Sequence, residues 1–355
     1  MEAVDNQPWS GEANVHVSIV NWAKTLDPTL VPRTKRLWSK STGVKVKGKP
    51  AAKHYELDHR DVVHINSALS DVVDVSVALP LTCNTSPKRT YQGVTPGHKG
   101  FVLTGEQKKD LEKDGISADV IHPYLTGREL VSGDGTPERF IIDFERRDIL
   151  QAQHYKRAFA HIEKTVLPAR QTKAEQGKDK TGKMRSHHKQ FLDRWWCLAW
   201  DRAEFFATAR KLNNRYIVCS RVTHRPIFLF LTNTVWPSDK VQAFVFDDDY
   251  SFGILQADVH WRWFIAKAAR LKNETDYSYS ADSVFGTFPW PQNPSESAVR
   301  AVAEAGREVR ECDRRSGVDA GLGCGDVRYT FPQAPDSASR SPPGEPHGDP
   351  VGLSI

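Results

Sequence analysis

A mixed α+β fold is predicted by three features of the sequence. Between residues 189 and 231, a block with apolar residues at spacings of three and four (Phe191, Leu192, Trp195, Trp196, Ala199, Ala203, Phe206) precedes two strand-like runs, 215–220 and 226–231. Elsewhere, short strands follow glycine-rich turns, as Phe101, Val102 and Leu103 follow Gly97 and Gly100. From Cys312 onward apolar periodicity vanishes and Gly, Pro, Ser and Arg dominate, so 312–355 reads as a disordered tail.

The elements follow in order. Trp9 to Ala13 reads as a turn and 15–20 (VHVSIV) as a strand, on alternation and β-branching. A strand so early must find a partner later in the chain, or close a domain whose first part is absent. Residues 27–50, polar and basic with Pro32, Gly43 and Gly48, read as loop. Thr104 and Gln107 match a capping box, so a helix starts there and stops near Gly115. Residues 139–144 make a strand, and 149–167 a helix halted at Pro168. The interval 170–189 has almost no apolar residues. It suits a surface loop, or one that orders on binding DNA. Asp201 and Glu204 suggest a second capping box for a short helix ending at Asn213 and Asn214. Then come a strand at 241–246, an aromatic helix at 251–271 and a helical stretch at 297–311.

A chain of 355 residues holds one large core or two modest ones. Its net charge of +5 is concentrated. Arg170, Lys173, Lys178, Lys180, Lys183, Arg185, Lys189 and Arg194 face only Glu175, Asp179 and Asp193 over the same interval. That favours a polyanionic partner. Five cysteines without a C-x-x-C point to a reducing, cytoplasmic setting and not to a disulfide framework. There is no signal segment, and no apolar run approaches the roughly 20 residues that span a bilayer.

Catalytic patterns are missing. Gly321 to Gly325 resembles a phosphate loop, but no strand precedes it and no helix follows. Asp247, Asp248 and Asp249 are consecutive and cannot all point at one ion, so they read as the turn that ends a strand. Asp143 and Glu145 share a strand face without a matching Lys and read as local hydrogen-bonding groups. No catalytic, cofactor-binding or metal residue is assigned.

What remains is a basic loop on an apolar scaffold. Arg221, Thr223, His224 and Arg225 lie between the two strand-like runs, and Arg, Thr and His can reach base edges. These four are the candidates for base contact. Arg170, Lys183, Arg185, Lys189 and Arg194 are the candidates for phosphate contact. The clustered tryptophans Trp195, Trp196, Trp261, Trp263 and Trp290 are expected in the core.

The order of segments carries a resemblance. Lys99 to Leu103, Phe140 to Phe144, Leu167 to Arg170, Trp195 with Trp196, Arg215 to Ile217 and Arg221 to His224 succeed one another. Phe252 to His260, Tyr279 with Ser280, and Thr287 to Pro291 then follow. This succession, over Trp9 to about Glu311, resembles the MmeI-like type IIG/IIL restriction-modification enzymes, which are adenine-N6 DNA methyltransferases. The resemblance implies a C-terminal remnant of a methyltransferase domain with linker at 1–83 and a β-rich DNA target-recognition domain with packed helices at 84–291. It also implies the start of a C-terminal helical region at 292–311. It implies double-stranded DNA as partner, and S-adenosylmethionine as cofactor of the intact family enzyme only. The cofactor loop and the Asn-Pro-Pro-aromatic motif do not occur here. The expectation is therefore a fragment, inactive alone, shifted out of frame near Cys312, with a separately encoded methyltransferase half as a further partner. The alternative is a stand-alone, non-enzymatic DNA-binding protein. No membrane association is expected.

Overall fold

The computed structural model describes residues 1–8, 16–40, 57–66, 69–71, 75, 77–132, 135–177, 186–270 and 277–316. The strand Arg215–Ser220 lies at its centre. It pairs antiparallel with Leu229–Thr232 on one side and Val241–Phe244 on the other, and Thr90–Gln92 extends the sheet beyond Val241–Phe244. Successive side chains of a strand point to opposite faces. Tyr216 and Val218 accordingly enter one core, and Ile217 and Cys219 a second. The neighbour divides the same way, with Val241 and Ala243 in the first core and Phe244 in the second. A sheet covered on both faces needs near-continuous apolar strands, which is why 215–220 lacks polar alternation.

The first core lies against another four-stranded sheet, in the order Trp236–Pro237, Ile121–Leu125, Arg139–Ile142 and Val102–Leu103. Helix Lys156–Thr165 covers it with Ala158, Phe159 and Ile162. Beside it, His122 stacks on Trp236 at 3.6 Å between ring centroids, and Phe206 stacks on Trp236 at 4.4 Å. The Trp236 indole donates to the Asp143 carboxylate (3.0 Å), which also accepts from the Glu145 amide (2.7 Å). Complete burial nevertheless pushes that carboxyl up to about 6. Asp143 is thus the strand-end hydrogen-bonding group that its sequence position suggests.

The second core is aromatic, built from Phe228, Phe244, Phe252, Phe264, Tyr279 and Phe285. Helices Asp249–Gln256 and Asp258–Lys267 supply one side of it. His260 is fully buried there, 3.1 Å from the Tyr279 hydroxyl, and burial holds it near 4, so it is neutral. The Asn84 side-chain amide faces the carbonyls of Phe285, Gly286 and Phe288 at 2.8–3.1 Å, and the Leu81 amide donates to Gly286 O. These bonds tie the start of this region to its end.

The three aspartates do three different jobs. Asp247 accepts from the Asn213 backbone and side-chain amides, and Asp248 caps helix Asp249–Gln256 through the Ser251 amide. Asp249, with only 14% of its side chain exposed, accepts from Arg215 (3.3 Å), Arg307 (3.5 Å) and Arg310 (3.0 Å). Arg307 and Arg310 belong to helix Glu296–Ser316, which this carboxylate fastens to the domain. The two helices cross at glycines. A Cβ on Gly306 would meet Asp249 O at 2.8 Å, and one on Gly253 would meet Val302 O at 2.7 Å.

The N-terminal residues form a separate sheet in the order His16–Asn21, Glu2–Pro8, Lys35–Lys40 and Leu57–Val62. Its core is small: Ala3, Leu37 and Val62, with Ile65 and Leu69 packed against them.

Several elements differ from the sequence reading. The expected loop 27–50 contains the strand Lys35–Lys40, held by non-local pairing to Glu2–Val4 and Leu57–Val62. Strand His16–Asn21 has its partner before it, in Glu2–Pro8; the turn at Trp9 to Ala13 lies outside the described residues. Pro168 starts a helix, Leu167–Gln176, where a first-turn proline costs no hydrogen bond. The helix expected at 149–167 is divided into Ile149–Gln153 and Lys156–Thr165. The apolar block from Phe191 is likewise not one helix. It runs as Ser186–Asp193, then turns, then Ala203–Ala209 after Arg202 at φ +55°. Asp201 forms no capping box and instead pairs with Arg146. The aromatic helix breaks at Ala257, and the last helix continues past Cys312 to Ser316. The capping box at Thr104 and Gln107 is present with both bonds, and Gly115 ends that segment at φ +78°.

Asp249→Asn keeps the shape of the side chain but removes the charge that three guanidiniums share. The expected outcome is a loss of about 1.5–3 kcal/mol, the range for a hydrogen bond to a charged group. Urea unfolding measures that loss. Protease cleavage between 292 and 316 should accelerate in parallel if Asp249 is what fastens this helix.

Candidate nucleic-acid interface

The central strand delivers Arg221 to the surface. The Arg221 amide donates to Lys240 O and its carbonyl accepts from the Tyr279 amide, both at 2.8 Å. The next two residues, Val222–Thr223, pair with Tyr277–Ser278 in a small sheet that also contains Ala269–Arg270. The Thr223 side chain is buried at 7% exposure, and its hydroxyl donates to Arg225 O at 2.6 Å. The structure therefore places Thr223, read from sequence as a base contact, inside the turn that its hydroxyl closes. His224 and Arg225 are exposed beyond it, with the Arg225 guanidinium 5.6 Å from the Trp261 ring. A guanidinium over an indole face is held in orientation without losing its donors.

Arg221 is half-buried. Its Nη1 donates to Asp239 O (3.0 Å) and its Nε is buried without a hydrogen-bond partner. Arg202 lies beside it, with Nε on Gly93 O (3.1 Å) and Nη2 on the Gln92 side chain (3.2 Å). Burial, and then the neighbouring Arg221 charge, hold Arg202 below the usual arginine range. Sequence reasoning missed Arg202. Nothing in its local pattern separates it from an ordinary helix-start cation; only the fold brings it next to Arg221.

The second group of candidates lies on helices Leu167–Gln176 and Ser186–Asp193 and just past the latter. Arg170 is buried at 7% exposure. Its Nη1 donates to Phe191 O (3.0 Å) and Arg194 O (3.1 Å), and its guanidinium lies 5.5 Å from Phe101 and 5.6 Å from Phe191. The structure thus places Arg170, read from sequence as a surface phosphate contact, as an internal brace joining the helix pair to Phe101. The sequence showed its charge but not that helical spacing turns it, with Ala174, towards the core. Lys189 is exposed and paired with Asp193 at 2.6 Å, and Arg194 is exposed with Nη2 3.5 Å from the Cys197 sulfur. Lys183 and Arg185 lie outside the described residues. Trp195 is buried, and Trp196, Trp261, Trp263 and Trp290 pack against the two cores, as expected.

Among the described residues no cluster of three His, Cys, Asp or Glu side chains could hold a metal ion. No helix among them is long and apolar enough to cross a membrane.

Fold and site together define a class: a mixed α+β domain whose doubly covered sheet carries exposed cations on a braced turn. The family follows from the sequence itself. The profile described as "MmeI, target recognition domain" matches residues 82–292, and the chain belongs to that family. No curated protein matches. Among solved structures, the type IIL restriction-modification enzyme MmeI in complex with DNA is similar at TM-score 0.65 and 19% identity, over 88% of this chain and 38% of that one. The chain therefore spans well under half the length of that enzyme. The type IIG restriction endonuclease BpuSI matches at TM-score 0.33 and 12% identity, over 62% of this chain and 25% of its own, too low to carry an argument.

Arg170→Met fills the same space but leaves the carbonyls of Phe191 and Arg194 without their donor. The expected loss is about 1–3 kcal/mol, the cost of stranding a buried acceptor. Chemical denaturation reads it, and Arg170→Lys should restore little, because one ammonium cannot reproduce the planar fork stacked on both rings.

Proposed function

We propose that this chain recognises a DNA target sequence for a restriction-modification enzyme, serving an adenine-N6 methyltransferase supplied by other polypeptide sequence. The observation that carries this reading is family membership over 82–292 together with the braced turn at Arg221 to Arg225 inside that span. The domain limits we propose are those of the sequence reading: a methyltransferase remnant at 1–83, recognition at 84–291 and a C-terminal helical start at 292–311.

The chemistry is positioning. Phosphate contacts from Lys189 and Arg194 set register and carry no sequence information, while base edges are read by donors in a groove. Arg225 and His224 are the outward donors. Arg221 sets the angle at which the turn leaves the sheet, and Thr223 fixes its shape. The methyltransferase would then act on an adenine turned out of the stack. S-adenosylmethionine is implied for the whole enzyme. In this chain the N-terminal strands Glu2–Pro8, His16–Asn21, Lys35–Lys40 and Leu57–Val62 follow one another without an intervening α-helix among the described residues. A second reading, a DNA binder acting without a methyltransferase half, is favoured by one observation: His16–Asn21 finds its partner strand within the chain.

Selection from a randomised duplex pool tests the reading directly. Enrichment of one sequence is expected; retention of every sequence equally, or of none, would overturn it. Addition of a methyltransferase half to the selected duplex then separates the two readings, since only the first expects methylation to appear.

With the selected duplex in hand, Arg225→Ala should weaken binding by about 1–3 kcal/mol and relax preference at one base pair. An equal loss on all sequences would make Arg225 a phosphate contact. Lys189→Ala should lower the salt dependence of log K by about one counterion while sequence preference survives. An unchanged slope removes Lys189 from the interface.

A further inference from the structure

Two guanidiniums meet at the root of the turn, joined by one side-chain amide. Arg202 Nη2 donates to Gln92 Oε1 at 3.2 Å, and Gln92 Nε2 donates to Asp239 O at 3.0 Å. That same carbonyl accepts from Arg221 Nη1 at 3.0 Å. Arg202 Nε is satisfied by Gly93 O at 3.1 Å. Gly93 lies hard against the neighbouring backbone, where a Cβ would overlap the carbonyl oxygens of Pro237 and Ser238. A side chain at 93 would therefore displace the carbonyl that orients Arg202.

Donors remain after these bonds are made. Arg202 Nη1 and Arg221 Nη2 have no hydrogen-bond partner among the described residues, and both reach the surface, whereas Arg221 Nε is buried. Neither guanidinium forms an ion pair among the described residues. The Asp201 carboxylate pairs with Arg146 at 3.1 Å, and that of Asp239 with Lys240 at 3.5 Å. Arg202 also holds a left-handed backbone, φ +55°, which glycine would adopt without strain. Such strain persists only where the surroundings fix it, and Gln92 and Gly93 fix it here through the guanidinium. Two like charges bridged by one amide repel each other, and an anion that reaches both relieves the repulsion.

We propose that Arg202 and Arg221, through Nη1 of the first and Nη2 of the second, clamp a single phosphate of the DNA backbone at the root of the turn. This deepens the DNA-recognition reading above and rests on it. A guanine edge offers only neutral acceptors and leaves the two charges uncompensated, so the anionic backbone is the favoured ligand. Phosphate contacts set register, and a clamp directly before Val222 sets it beside His224 and Arg225.

The test measures binding of the full chain to duplex DNA against salt. Arg202→Gly removes the guanidinium and suits φ +55°; Arg221→Gln is the second variant. Each should weaken binding about tenfold on every sequence. The double variant should lose less than the hundredfold product, and its salt slope should fall by about one counterion, because both side chains address one phosphate. Multiplied losses with a slope lower by two counterions would mean two separate phosphates and overturn the clamp. A loss confined to some sequences would make the pair a base contact and overturn it too. Unchanged affinity and slope with a lowered melting temperature would reduce both residues to braces. Should the wild-type chain bind no DNA, the recognition reading fails by itself. Inorganic phosphate, titrated at constant ionic strength against the arginine Nε–H NMR signals, then decides the clamp: a saturable shift of Arg202 and Arg221 upholds it, and no shift overturns it.

Discussion

The fold depends on burying the strand Arg215–Ser220 on both faces at once. One row of its side chains enters the core of Tyr216 and Val218, the other the core of Ile217 and Cys219. At about 25 cal/mol per Å² of apolar area, two covered faces contribute roughly twice what a one-sided strand could. They also fix register strongly, because a slip of one residue would exchange the two faces. The turn proposed to read base edges is placed from this strand. Arg221 leaves its end, Gln92 and Asp239 flank it, and the pairing of Val222–Thr223 turns the next residues outward.

The polar groups around it follow one logic: backbone carbonyls, not carboxylates, hold the cations in place. Arg202 and Arg221 each donate to main-chain oxygens. A carbonyl orients a guanidinium without cancelling its charge, so the positive potential survives at the surface. Asp249 is the opposite case. It collects Arg215, Arg307 and Arg310 and neutralises charge where the task is to fasten a helix. The split separates cations available to a polyanion from cations used as internal rivets.

Burial redistributed the candidates. Arg170 and Thr223 have the right chemistry for contact with nucleic acid, yet both lie inside, one bracing a helix pair and the other closing a turn. Arg202 had no distinguishing pattern and came to matter because the fold sets it beside Arg221. His224 and Arg225 remained outside because Thr223 spends its hydroxyl on the Arg225 carbonyl and shapes the tip beneath them.

The sequence by itself determined the mixed α+β class, the central strand at Arg215–Ser220, the capping box at Thr104 and the basic turn after the strand. Each is local: a run of apolar residues, a side chain reaching three positions along, a cluster of cations between two strands. The tertiary structure alone decided the strand Lys35–Lys40, the breaks at Ala257 and after Asp193, the helix beginning at Pro168, and the inward turn of Arg170. Lys35–Lys40 exists because Glu2–Val4 and Leu57–Val62 supply hydrogen bonds from far along the chain. The breaks sit at single backbone departures, Ala257 at ψ +151° and Arg202 at φ +55°, which periodicity read along one axis does not contain. Which cations face outward was settled in the same way, by distant carbonyls and rings meeting a side chain whose charge alone said nothing of its direction.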